Sequence, residues 1–264
     1  RMTTTNKILV VLTSQDQFTE SHRSKPPHGG ENNPKPPHQQ QPESQTSTGF
    51  DVKEAAYVYT RFCQQSSSSS SCTIEFASPR GGQPPMDPQS EQASKSDPTV
   101  KKFLSDKQVK DLLSNTRKLS DIKNPSEYTA AVFVGGAGAM FDLAEDPDVP
   151  RITEKMMREN RQSVVAAIGH GLAALINVKS PQSTNDPLLK NKRVTCNTDE
   201  EEREMRLEDK VPFSLERKLK EIGAHVDKQE KFKEHVVVDE RIITAQNRDS
   251  TQQWVERIAE NLRM

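Results

Sequence analysis

The residues with the most to say about chemistry lie at Val164–Leu175, VVAAIGHGLAAL. An apolar run that enters a glycine-rich tight turn and continues as a helix has the layout of a nucleophile elbow. In such an elbow a reactive side chain stands on a strained turn, and backbone N–H groups at the helix start stabilise negative charge. The apex position here is Gly169, which supplies no nucleophile, acid or base. His170 follows it, either as a ligand contact or as a packing or capping histidine. A second turn, Gly135-Gly136-Ala137-Gly138, follows the apolar run Ala130–Val134. It has two readings: free N–H groups at a helix start favour an anion, and the backbone itself can require glycine there. Cys63, Cys72 and Cys196 form neither an even disulfide framework nor a metal-ligand pattern. No metal or other cofactor is expected.

These turns need strands and helices to hold them. Lys7–Leu12 (KILVVL), Ala130–Val134 and Val164–Ile168 are short continuous apolar runs, the signature of central parallel strands buried on both faces. Thr73–Ala77 and Val194–Cys196 read as further strands, and Val236–Val238 with Ile242–Thr244 as a hairpin. Helices are expected at Phe50–Phe62, Asp106–Thr116, Pro150–Asn160, Leu172–Ile176, Asp199–Arg206, Pro212–Ile222 and Asp249–Leu262. Pro79–Ser90 reads as turn chemistry throughout, and the charged run Asp199–Arg206 as a solvated helix face. Strands alternating with helices predict an α/β fold, a flavodoxin-like three-layer sandwich with a mainly parallel central sheet covered by helices on both faces. Ligands in such sheets bind beyond the carboxyl ends of the strands, which directs attention back to Gly135–Met140 and Ile168–Gly171.

Composition bounds the rest. Hydrophobic residues make up 31% and aromatics 5% of the 264 residues, low for a compact domain of this size. The deficit is concentrated in 13–48 and 79–99, which are rich in Pro, Gln, Ser, Lys and His. The chain therefore reads as one domain, 1–264, carrying a Pro/Gln/His insertion at 15–47 and a Ser-rich loop at 64–71. The insertion holds too little apolar residue to offset its ordering entropy. A net charge of −1 gives no electrostatic footprint for nucleic acid. No apolar run approaches the length that spans a bilayer, and no signal-peptide pattern opens the chain, so the expectation is an intracellular, cytoplasmic protein without nucleic-acid or membrane partners.

At the elbow the sequence resembles the ThiJ/PfpI superfamily, of the class I glutamine-amidotransferase-like fold, whose members carry A-x-C-H-G followed by A-A-L. Here the same stretch reads Ala167-Ile168-Gly169-His170-Gly171-Leu172-Ala173-Ala174-Leu175. Thr48–Tyr57 (TGFDVKEAAY) resembles the family's glutamate-bearing helix, with the glutamate at Glu54. FASPRGGQPPMDPQS, VGGAGAMFDLAEDP, LLKNKRVTCNTDEEE and HVVVDERIITAQN are similar, in order, to segments of the glyoxalase III and chaperone branch. Three departures stand out: Gly169 in place of the cysteine, Ala137 in place of the histidine of G-G-H-G, and Thr244-Ala245-Gln246-Asn247 in place of T-G-Q-N.

The resemblance implies that active relatives attack an aldehyde or acyl carbon with the cysteine thiolate, while the glutamate tunes the thiol and moves protons. It also implies that the Gly135-Gly136 amides form an oxyanion pocket, and that homodimers are common. With the sulfur gone, covalent catalysis has no agent, and Cys196, Cys63 and Cys72 stand elsewhere in the sequence. The expectation is a pseudoenzyme without catalytic residues, whose vestigial pocket is Glu54, Gly169 and His170. Its ligand-facing positions would be Gly135, Gly136, Ala137, Gly169 and His170, and its role that of a binding or structural component of a larger protein assembly. The alternative is weak cysteine-independent chemistry on 2-oxoaldehydes through Glu54 and His170, or a chaperone-like holdase. Glu54 in the first view is an inert hydrogen-bonded carboxylate.

Overall fold

Alternate residues of the apolar runs face opposite ways, as extended backbone requires, and both faces are covered. The computed structural model of the chain describes residues 6–19, 46–64 and 72–264. Among them Leu9, Val11, Ala131, Phe133, Val165 and Ala167 join one buried cluster, while Ile8, Val10, Ala130, Val132, Val164 and Ala166 join a second on the other side.

The strands that carry these residues are β1 (Asn6–Val11), β2 (Cys72–Ser78), β3 (Arg117–Lys118), β4 (Ala130–Phe133) and β5 (Val164–Ile168). Two small pairs follow, β6 (Lys179–Ser180) with β7 (Ser183–Pro187) and β8 (Arg193–Val194) with β9 (His225–Val226). The chain then returns to the main sheet as the hairpin β10 (Val236–Asp239) and β11 (Ile242–Ala245). The seven-stranded sheet has the order β10-β11-β5-β4-β1-β2-β3. Every pairing in it is parallel except β10 with β11. The expected fold class stands.

Helix α1 (Val52–Tyr59) packs on the second face and continues as a π-helical turn, Thr60–Gln64, rather than as one α-helix to Phe62. Helix α2 (Pro88–Ser94) begins inside the segment expected to be turns throughout, Pro79–Ser90, and α3 (Pro98–Ser105) follows beyond it. Both are started by an Asp-Pro pair. Asp87 accepts from the Ser90 N–H and Asp97 from the Thr99 and Val100 N–H groups, while proline supplies a first-turn residue that needs no donor. The rest of the helices are α4 (Lys107–Ser114), α5 (Asp148–Glu159), α6 (Asp199–Glu204), α7 (Leu215–Glu221) and α8 (Thr251–Asn261). The apolar segment after the elbow is a 3-10 helix that already begins at Gly169 and runs to Leu175.

Most of the predicted insertion, residues 20–45, and most of the Ser-rich loop, 65–71, lie outside the described residues. The two ends of the insertion meet in an antiparallel bridge between Gln17 and Ser47. Among the described residues no helix is long and apolar enough to cross a membrane.

Candidate active site

The two glycine turns lie side by side because β4 and β5 are neighbours and parallel, so their carboxyl ends open on the same side. Gly169 keeps the geometry of an elbow apex, with φ +53°. That left-handed conformation is costly for any residue with a Cβ. A Cβ built on Gly169 would stand 2.5 Å from Asn197 Oδ1. The side chain of Asn197, between β8 and α6, thus occupies the volume that a residue at the apex would use.

His170 is buried, and its Nε2 is 2.6 Å from Glu202 Oε1. Burial by itself would lower the imidazole pKa, but the Glu202 carboxylate beside it overcomes burial and the net shift is upward. The other Glu202 oxygen is buried and has no hydrogen-bond partner among the described residues. The reading of Asp199–Arg206 as a solvated face is therefore corrected: Glu200 and Arg203 are exposed, whereas Glu201 and Glu202 are buried. Glu201 closes a capping box with Thr198. Its Oε1 accepts from Gln246 Nε2 at 3.1 Å, Asn247 Nδ2 at 2.7 Å and the Phe232 N–H at 2.9 Å. The Gln246-Asn247 pair after β11 thus anchors α6, which in turn presents Glu202 to His170. A Thr-x-x-Glu signal was visible in the sequence for Glu201; nothing comparable marked Glu202.

Glu54 is buried in the first turn of α1, and its Oε2 accepts from the Gly135 N–H at 2.7 Å. Desolvation pushes its pKa well above the usual carboxylate range, and the nearby Asp51 adds to the rise against the opposing Gly135 hydrogen bond and Arg248. The expected oxyanion pair is corrected on this point. The Gly135 amide is already committed to Glu54. Gly136, at φ +107°, is demanded by the backbone, since a Cβ there would lie 2.1 Å from the Gly49 carbonyl oxygen.

Asp51 holds the helix that carries Glu54. It caps α1 by accepting from the Lys53 and Glu54 N–H groups, and its other oxygen accepts from Arg248 Nε at 2.6 Å. Asp51→Ala is expected to cost about 2 kcal/mol in urea unfolding, from the lost cap and ion pair together. Asp51→Asn, which can still cap, should lose less.

Glu54, His170, Asn197 and Ala137 line a cavity of about 430 Å³ together with Phe18 and Phe232. Of the positions expected to face a ligand, Gly136, Ala137 and His170 line it; Gly135 and Gly169 do not. The cysteines offer no substitute nucleophile. Burial holds the Cys196 thiol far above its usual pKa and pushes Cys63 and Cys72 up to about 11 and about 12. Among the described residues no cluster of His, Cys, Asp and Glu could hold a metal ion. The arrangement brings a buried carboxyl whose pKa is raised, Glu54, and a histidine bonded to Glu202 into the lining of one cavity, beside an apex without a side chain.

The model of the DJ-1/PfpI family matches residues 69–261. A glutathione-independent glyoxalase of Schizosaccharomyces pombe is 28% identical over 150 residues, 54% of this chain and 61% of that protein; the chain thus aligns with less than two thirds of that relative's length. Among solved structures, the Francisella tularensis Rapid Encystment Protein 24 kDa superimposes with a TM-score of 0.80 at 30% identity, over 97% of this chain and 99% of the other. Glyoxalase III of Candida albicans superimposes with a TM-score of 0.76 at 23% identity, over 97% of each chain, a likeness of fold.

Proposed function

The chain belongs to the DJ-1/PfpI family, and from that premise we propose that its cavity binds hydrated 2-oxoaldehydes and isomerises them slowly to 2-hydroxy acids by proton transfer alone. Two relatives bear the name glyoxalase, which supplies the substrate class. The observation that carries the reading is that Glu54 and His170, the latter bonded to Glu202, line one cavity.

A hydrated 2-oxoaldehyde, R–CO–CH(OH)2, is an isomer of the 2-hydroxy acid R–CH(OH)–COOH. The conversion takes the proton from C1, passes through an enediolate and returns a proton to C2. It needs neither an external reductant nor a covalent adduct. Glu54 in its carboxylate form takes the C1 proton. Because burial raises its pKa, that form is a stronger base than an exposed glutamate. His170, held by Glu202, donates to the C2 oxygen as negative charge develops there. General acid–base groups of this kind contribute about a hundred- to ten-thousandfold, so turnover is slow.

The test is conversion of methylglyoxal to lactate by the purified chain beside Glu54→Gln. A measurable wild-type rate that falls to background in the variant is the expected result; an unchanged rate in Glu54→Gln would exclude the mechanism. A wild type with no turnover would favour the second reading, a non-catalytic binding component of a protein assembly, for which the side-chain-free apex Gly169 is the specific observation.

A further inference from the structure

Two asparagines line the cavity, and they differ in what their amides do. Asn247 is fully occupied: Nδ2 donates to Glu201 Oε1 and to the Lys233 carbonyl, and Oδ1 accepts from the Ser250 N–H and hydroxyl. Asn197 is only 8% exposed, yet no group among the described residues bonds its carboxamide. Its main chain is fixed on both sides, since its carbonyl accepts from Cys196 Sγ at 3.1 Å and Thr198 caps α6. A carboxamide without protein partners leaves its donor and its acceptor to whatever fills the cavity. Asn197 is held in the space above Gly169 and lines the cavity.

We propose that Asn197 is a specificity-determining residue that recognises the gem-diol of a hydrated carbonyl compound, an inference that rests on the reading of the cavity as a 2-oxoaldehyde site. A carboxamide presents a donor and an acceptor side by side. A gem-diol answers both, giving an O–H to Oδ1 and lone pairs to Nδ2. A free aldehyde only accepts and leaves Oδ1 unpaired. A carboxylate also only accepts, and it sets negative charge against Oδ1. The amide therefore selects the hydrate over the free aldehyde and over the acid product. A site built to pair a polar group discriminates against ligands that leave it unpaired. Glycine at 169 and asparagine at 197 then form one unit: the side chain that the apex lacks is replaced, in the same volume, by a group that binds and does not attack.

The probe is 1,1,1-trifluoroacetone, which is a gem-diol in water and has no C1 proton to lose. Isothermal titration of the wild type, Asn197→Leu and Asn197→Asp should show binding to the wild type and a dissociation constant weaker by about tenfold or more in both variants. Should Asn197→Leu fail to fold, Asn197→Asp and a shift of the wild type's Asn197 side-chain amide resonance on saturation decide. Equal affinity in the folded variants, an unmoved resonance or a wild type that gives no binding would overturn the proposal. Since the probe is not turned over, Asn197-dependent binding in a chain that leaves methylglyoxal untouched would reject the proton-transfer reading alone. Turnover of methylglyoxal without such binding would reject the role of Asn197 alone.

Discussion

Gly169→Cys by itself is expected to leave methylglyoxal turnover close to the wild-type rate, while Gly169→Cys combined with Asn197→Ala should raise it on the order of a hundredfold, the lower end of what a positioned catalytic group contributes. Two costs fall on the single variant. The apex sits at φ +53°, where a residue with a Cβ pays about 1–2 kcal/mol. The added Cβ also lies 2.5 Å from Asn197 Oδ1, so the amide must rotate out of a buried place before the sulfur can point into the cavity. The first cost can be borne, because the flanking strand and 3-10 helix hold the turn. The second disappears only when residue 197 is shortened. The two substitutions should therefore be strongly non-additive, as contacting residues are. Steady-state turnover and the rate of iodoacetamide labelling, measured on both variants, report the same coupling by independent routes. A single variant as active as the double would mean that Asn197 yields freely and that only the nucleophile is missing.

The parts of this molecule that were legible in its sequence are those where one residue type suffices to fix the outcome. Continuous runs such as Ile8–Leu12 and Val164–Ile168 have no polar face to expose, and so they became central strands with buried residues on both sides. Glycines before apolar helix starts marked both turns, and the resemblance added Glu54. The rest depended on direction, which composition does not carry. Four consecutive acids at 199–202 look alike in sequence; helical rotation turns Glu201 and Glu202 inward and Glu200 outward. The inward pair is tolerable only because Gln246, Asn247 and His170 arrive from other segments to meet it. Helices α2 and α3 went unseen because their apolar residues are sparse, although Asp-Pro at 87–88 and 97–98 is a start signal in its own right. The commitment of the Gly135 amide to Glu54 joins residues 81 positions apart and has no local signature. Asn197 escaped notice for the same reason, since its significance lies in the volume above Gly169.

Glu54→Gln, which should abolish turnover, is expected at the same time to make the protein more stable at neutral and alkaline pH. The folded state raises the pKa of this carboxyl well above its ordinary value, chiefly by desolvation. Between the ordinary glutamate pKa and the raised one, the native state holds a proton that the unfolded chain has released. The unfolded state binds fewer protons in that window, so stability falls as pH rises through it. Below the window, both states are protonated and Glu54 adds no pH dependence. Glutamine keeps the oxygen that accepts from the Gly135 N–H and cannot ionise, so the variant loses this slope. Wild type and variant should therefore be similar in urea unfolding at about pH 4 and diverge in the variant's favour toward about pH 8, by about 1 kcal/mol or more. Asp51 and Arg248 face Glu54 from the helix cap and from the turn before α8, Asp51 adding to the rise and Arg248 opposing it. A variant no more stable than the wild type at the upper pH would show that the carboxyl is not held neutral, and the strong base required for proton transfer would be absent. A gain in stability coupled to loss of turnover is the relation expected of a group kept in an unfavourable place because its chemistry requires it.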